Sequence, residues 1–283
     1  MHTFRVKALF FLISLICFTV NAQISFVEDT TVPFIPVTSG DAAFADVNGD
    51  TYSDVLIIGW DDNTLSYNAK LYLNDGLGNF SLVLGTPFTP VGDGTVDFAD
   101  VDGDNDMDVL ITGEDGGVIS GVTELYLNDG FGNFTLSLGT SFVGIYGSHV
   151  AFADVDGNLD LDVLMVGNEG GNPVTKLYIN DGSGNFIESM GQPFEIVSSY
   201  SSVDFADVDG DSDLDVLISG IVAANQRSTK LYTNDGSGNF SLVSGTPFIG
   251  LSNSSVNFAD IDNDGDQDIF MTGSSNTANF TDL

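Results

Sequence analysis

The sequence is short of positive charge. Lys and Arg number 6 against 41 Asp and Glu, which gives a formal net charge of −35. An acidic excess of that size repels nucleic acid and anionic membrane surfaces, so neither is expected as a partner. Cysteine is nearly missing too. The single one, Cys17, lies in the apolar N-terminal stretch, so no disulfide braces the rest of the chain. With only 2 His as well, the ligands of a zinc site are lacking. No segment of ten or more residues carries a helical stripe of apolar positions, which argues against a helix-built fold. Proline falls mostly in links between the repeat units described below, at Pro87, Pro90, Pro193 and Pro247. Hydrophobic residues make up 42% of the chain and include 22 Phe, enough for a packed core and too many for a disordered polyanion.

The N-terminus reads separately. Arg5 and Lys7 precede an apolar run from Ala8 to Val20, broken only by Ser14 and Thr19, and Val20-Asn21-Ala22 offers a small-residue cleavage site. This predicts a secretory signal peptide over residues 1–22, with a run too short for a stable membrane span. Its removal takes away Arg5, Lys7 and Cys17 but no acid, moving the formal charge from −35 to −37. Residues 23–283 are then expected to be extracellular, secreted or at the cell surface.

Those residues repeat. Phe-Ala-Asp begins at Phe44, Phe98, Phe152, Phe205 and Phe258, at spacings of 54, 54, 53 and 53. A second phrase, Leu-Tyr-x-Asn-Asp-Gly-x-Gly-Asn-Phe, begins at Leu71, Leu125, Leu177 and Leu231. Each unit contains four short runs rich in β-branched and aromatic residues. In the second unit they are Val96–Val101, Asp108–Thr112, Thr123–Leu127 and Asn133–Leu138. The Asn-Asp-Gly steps predict tight hairpins whose Gly or Asn accepts a positive φ. Four antiparallel strands in about 50 residues make a propeller blade, whose two apolar faces are buried only by stacking against neighbours. The expected fold is therefore an all-β propeller of four-stranded blades, with five repeat units in this chain. Ile24–Val27 resembles a fourth strand, and Thr281-Asp282-Leu283 matches the start of a third strand at Thr229-Lys230-Leu231. The chain is thus expected to be a fragment of a larger ring.

Each unit carries the same acidic loop between its first and second strands. The loops span 46–54, 100–108, 154–162, 207–215 and 260–268 and contain 22 Asp in all. Oxygen side chains fall at loop positions 1, 3, 5 and 9. They are Asp46, Asn48, Asp50 and Asp54; Asp100, Asp102, Asp104 and Asp108; Asp154, Asp156, Asn158 and Asp162; Asp207, Asp209, Asp211 and Asp215; and Asp260, Asp262, Asp264 and Asp268. Hard oxygen ligands at this spacing suit Ca2+, with up to five ions, one per loop. Magnesium fits less well, because it prefers a small, water-rich octahedral shell. Asp at position 7 in four units (Asp106, Asp160, Asp213, Asp266) is expected to add solvent-facing negative potential.

The pattern Phe-Ala-Asp-Val-Asp-Gly-Asp-x-Asp-x-Asp-Val-Leu resembles the FG-GAP or VCBS family of repeats, which are similar to the blades of the integrin α-subunit propeller. That resemblance covers residues 24–283 and implies calcium held by the side chains named above. It also implies an extracellular setting. One departure is visible: the family often has Gly at position 6, whereas only Gly265 stands there, and the other loops place Gly at position 4 (Gly49, Gly103, Gly157, Gly210). Loops of unequal affinity are expected from it.

The links between strands two and three, and between units, vary. They supply Trp60, Asp61, Asp62, Tyr67, Glu114, Asp115, Glu169, Asn172 and Arg227, with Tyr146, His149, Glu195, Tyr200 and Asn253 assigned to links between blades. Variable loops on a rigid frame are where recognition resides. The expected function is adhesion or recognition of an extracellular protein or glycan. The alternative is a non-catalytic propeller or spacer module of a larger secreted enzyme, such as one that degrades polysaccharide. No catalytic residue is assigned.

Overall fold

The computed structural model describes residues 28–117, 121–198, 200–276 and 279–282. The signal peptide read at 1–22 and the strand read at 24–27 lie outside the described residues. Two compact units are distinguished, Met1–Val32 and Pro33–Leu283. In the first, Asp29 Oδ1 closes a turn by accepting from the amide and hydroxyl of Thr31 at 2.8 and 2.6 Å. Everything below concerns the second.

Its strands fall into five antiparallel sheets in chain order. The first sheet is β1 (Thr38–Ala45), β2 (Asp54–Asp61), β3 (Ser66–Asn74) and β4 (Phe80–Leu82). The second is β5 (Val96–Ala99), β6 (Asp108–Glu114), β7 (Gly121–Asn128) and β8 (Phe134–Leu136). The third is β9 (Tyr146–Ala153), β10 (Asp162–Glu169), β11 (Asn172–Asn180) and β12 (Phe186–Glu188). The fourth is β13 (Ser202–Ala206), β14 (Asp215–Val222), β15 (Gln226–Asn234) and β16 (Phe240–Leu242). Among the described residues the fifth has three strands, β17 (Ser252–Ala259), β18 (Asp268–Ser274) and β19 (Asn279–Asp282). Each sheet is a simple meander, as the blade reading requires. The second and third strands run longer than the apolar runs suggested, and the fourth is shorter. Thr281 pairs with Thr272 as Thr229 pairs with Ser219, so the expected third-strand register holds.

The core lies between blades rather than within them. Leu56, Ile58 and Leu71 of the first sheet pack with Val96, Val109 and Ile111 of the second. Equivalent layers join the second to the third, the third to the fourth and the fourth to the fifth. The fully buried aliphatic side chains in these layers each contribute about 1.5–3 kcal/mol relative to exposure. A repeated aromatic triad seals the first three joints. Phe88, in the link before the second blade, meets Tyr126 edge-on at 5.1 Å and Phe134 at 5.0 Å. The Tyr126 hydroxyl accepts the Thr89 amide at 2.9 Å. Tyr72, Tyr178 and Tyr232 repeat this arrangement.

Backbone bonds also stitch the blades together where the first strands begin. Asp93 N donates to Ser39 O, Gly147 N to Asp93 O, Tyr200 N to Gly147 O, and Ser254 N to Tyr200 O. Ser39, Asp93, Gly147, Tyr200 and Asn253 all have φ between 46 and 62°. The same left-handed step thus recurs in all five units. It follows that Tyr146, His149 and Asn253, assigned from sequence to links between blades, lie within first strands instead. The links are shorter than the turn residues implied, because in three units strand pairing begins before this step, Thr38 with Trp60, Tyr146 with Asn168 and Ser252 with Ser274.

Candidate metal centres

The acidic loops share one backbone template. The position 1 carboxylate curls the loop, its Oδ2 accepting the position 6 amide in every unit: Thr51, Asn105, Leu159, Ser212 and Gly265, at 2.6–3.1 Å. Positions 4 and 6 are both left-handed in all five loops. At position 4, φ is 75° at Gly49 and 60° at Asn263; at position 6 it is 74° at Thr51, 75° at Leu159 and 96° at Gly265. Moving Gly from position 4 to position 6 therefore changes which step is relaxed and leaves the path unchanged.

The position 9 aspartate anchors the loop to its blade. Its Oδ2 accepts the position 2 amide, as in Val101 N to Asp108 at 3.1 Å, and this bond recurs in all five units. Its Oδ1 accepts the hairpin asparagine amide in the first four, each at 2.8 Å. The side chain of that asparagine reaches the preceding blade. Asn128 Nδ2 donates to Val47 O at 2.9 Å, Asn180 to Val101 O at 2.8 Å and Asn234 to Val155 O at 2.7 Å. The first three loops are thus bonded both to the hairpin of their own blade and to that of the next, and the fourth loop to its own.

Positions 1, 3 and 9 converge. Asp100, Asp102 and Asp108 each offer an oxygen, all within 4.8 Å of one another, and so do Asp154, Asp156 and Asp162; Asp207, Asp209 and Asp215; and Asp260, Asp262 and Asp268. In the first loop Asn48 replaces the third acid beside Asp46 and Asp54. The position 5 residues stand outside these triads. Asp50, Asp104, Asn158, Asp211 and Asp264 each accept the position 7 amide. Position 7 also differs from expectation. A Cβ on hairpin Gly130 would come within 2.5 Å of the Asp106 carboxylate, and Gly182 and Gly236 stand in the same relation to Asp160 and Asp213. Those acids pack over the adjoining hairpin instead of simply facing solvent.

The triads have the electrostatics of a cation site. Burial, then neighbouring acids, pushes the Asp108 carboxyl up to about 7 and Asp162 up to about 6, against bonds from two amides each. Asp54, Asp102 and Asp215 are raised for the same reasons. Asp102 Oδ1 is buried with no hydrogen-bond partner. An acceptor set of hard oxygens, closely spaced, partly desolvated and holding an orphaned atom, fits a divalent cation.

The opposite ends of the strands carry the variable residues. Trp60 and Tyr67 pair across β2 and β3, ring centroids 5.0 Å apart at 71°. Trp60 Nε1 donates to Asp62 at 3.0 Å. Buried Asp61 closes a turn, accepting from Asn63 N and Thr64 Oγ1. Tyr67 lies against Gly92 and Gly116 of the next unit. Trp60, Tyr67 and Gly116 border a cavity of about 500 Å³ with Leu65, Thr89, Pro90 and Asp115. Arg227 is held by Ser252 and Asn276, and Glu195 accepts from Ser228. Asp61, Asp62, Glu114 and Glu169 form none of the acid groupings found among the described residues.

Repeated antiparallel blades with an acidic loop between their first two strands define a propeller-type repeat protein. The FG-GAP-like repeat matches residues 46–111, 160–218 and 221–271, more than half of the chain, and the chain belongs to that family. Among solved structures, a lectin from Agrocybe aegerita, described as recognising non-reducing terminal N-acetylglucosamine, is 24% identical with a TM-score of 0.46. The match covers 70% of this chain and 49% of the lectin, so the chain spans about half that protein's length. A thermostable family-43 glycoside hydrolase is 11% identical, TM-score 0.40, covering 86% of this chain and 84% of the enzyme. An exo-β-1,3-galactanase from Phanerochaete chrysosporium is 11% identical, TM-score 0.40, covering 82% and 55%. No curated protein matches the sequence. Among the described residues no helix is long and apolar enough to cross a membrane.

Proposed function

We propose that this chain is a secreted, calcium-binding propeller module that recognises an extracellular glycan or protein through the face opposite its acidic loops. The carrying observation is the contrast between the two faces. One repeats the same carboxylate triad from blade to blade; the other changes in every blade and holds the Trp60–Tyr67 cavity. Calcium would sit among the position 1, 3 and 9 carboxylates and supply the positive charge that their mutual repulsion and burial call for. The frame then stays rigid while the variable face does the recognising. Trp60 is the better anchor of the two aromatics, because the Tyr67 ring is already packed between glycines of the next unit.

Arrays of glycans and extracellular matrix proteins, probed with the calcium-saturated chain, test this reading. A bound ligand whose affinity falls by about 2 kcal/mol or more in Trp60→Ala supports it. Failure to bind any arrayed ligand, or undiminished binding by Trp60→Ala, refutes it.

A further inference from the structure

The first strands of all five blades border one cavity of about 440 Å³. Strand alternation sorts their residues. Val96, Val150, Val203 and Val256 point into the cores between blades. The residues on either side line the cavity and include Asp41, Asp97, His149, Asp204 and Asn257. No Lys or Arg is among the lining residues.

These groups are fixed in place. Asp41 Oδ2 accepts the Val96 amide of the next blade at 3.1 Å, and Asp204 Oδ2 accepts that of Phe258 at 2.7 Å. Asp97 takes only the amide of its neighbour Phe98, through Oδ1, at 2.9 Å. Burial raises its carboxyl to about 6, so ionising it without a counter-charge is costly. Burial lowers the pKa of His149 despite Asp41 and Asp204, which leaves a neutral ring at neutral pH. Its Nδ1 is shielded from solvent and has no hydrogen-bond partner. The cavity therefore gathers three carboxylates and the His149 ring with no cation to match them.

A bare metal ion is the wrong size for it. Among the described residues, His, Cys, Asp and Glu bring three ligand atoms within 4.8 Å only in the four loop triads, and the cavity residues form no such group. A volume of this order suits a small organic molecule. We propose that this cavity binds a small organic ligand bearing a protonated amine, with Asp97 and Asp204 as its principal acceptors and His149 beside it. The site is separate from the acidic loops and from the Trp60 face.

The test uses the full chain with calcium held saturating, so that the loops do not compete, in about 0.15 M salt to screen non-specific attraction. Putrescine is the probe, and 1,4-butanediol is its uncharged counterpart. The His149 ring resonance, identified by its loss in His149→Gln, reports the cavity directly. The expected result is a saturable shift with putrescine, none with butanediol, and affinity about tenfold weaker or worse in Asp97→Asn, one lost charge-assisted bond. Asp97 is chosen because only one of its oxygens receives a backbone bond, and a melting temperature no lower than the parent's certifies the fold. A ring signal unmoved by millimolar putrescine, or a shift of equal affinity in Asp97→Asn, overturns the proposal.

Discussion

Replacing Asp108 with Ala removes the acceptor of two buried amides, Val101 N at 3.1 Å and Asn128 N at 2.8 Å. Each buried donor left unpaired costs about 1–3 kcal/mol, so the metal-free chain should lose about 2–6 kcal/mol. Asp108→Asn keeps one carbonyl oxygen and orphans a single amide, for about 1–3 kcal/mol. In that variant part of the loss is offset, because the buried carboxyl, with a pKa of about 7, is no longer ionised at alkaline pH. Urea unfolding at pH 8, with chelator and again with calcium, separates these effects. The expected order in chelator is parent, then Asn, then Ala. With calcium the gap between parent and both variants should widen, since each has lost a ligand. Equal stability of Ala and Asn in chelator, or an Ala variant within the error of the parent in both conditions, would refute the anchoring role of position 9.

Two further outcomes follow from the loops and the cavity. Leu159 is exposed with φ 75°, where a branched side chain is strained and Asn105 of the second loop is at home. Leu159→Asn should therefore stabilise the chain by about 0.5–1 kcal/mol, read as a rise of a few degrees in melting temperature; a fall would contradict the shared template. Asp97, Asp108 and Asp162 have folded pKa values raised to about 6, 7 and 6. Their stabilising contribution is complete below the unfolded value near 4 and is lost as pH rises through 6–7. Asp75, Asp129, Asp181 and Asp235 are lowered, chiefly by asparagine side chains, so their contribution is lost only as pH falls below about 4. The melting temperature of the metal-free chain should decline between about pH 5 and pH 8, and calcium should abolish most of that decline. A flat metal-free profile over this range would count against the raised carboxyls.

The blades and loops were legible because they are local. A two-residue strand period and a nine-residue loop both sit inside one stretch of sequence, as do the Asn-Asp-Gly hairpins. What escaped reading joins distant residues. Asn128 to Val47 spans 81 positions, and Tyr126 to Thr89 spans 37. Nothing within one repeat says that a hairpin asparagine serves the neighbouring loop. The repetition of Pro-Phe in the links and of Leu-Tyr in the third strand was the available signal for the aromatic triad. Tyr146, His149 and Asn253 read as links because Gly and Ser surround them ahead of the apolar part of each first strand, whereas pairing with the second strand already includes that stretch. The missing Gly at position 6 is not legible as harmless from sequence, because Thr51, Asn105, Leu159 and Ser212 adopt the left-handed step under the hold of the position 1 carboxylate.

The central claim is that the acidic loops are structural cation sites. Isothermal calorimetry of calcium into the chelator-stripped chain, with melting temperature followed in parallel, tests it most directly. Four triads and the weaker first loop predict four or five ions per chain and a clear rise in melting temperature. A folded chain that binds no calcium at millimolar concentration would contradict the account.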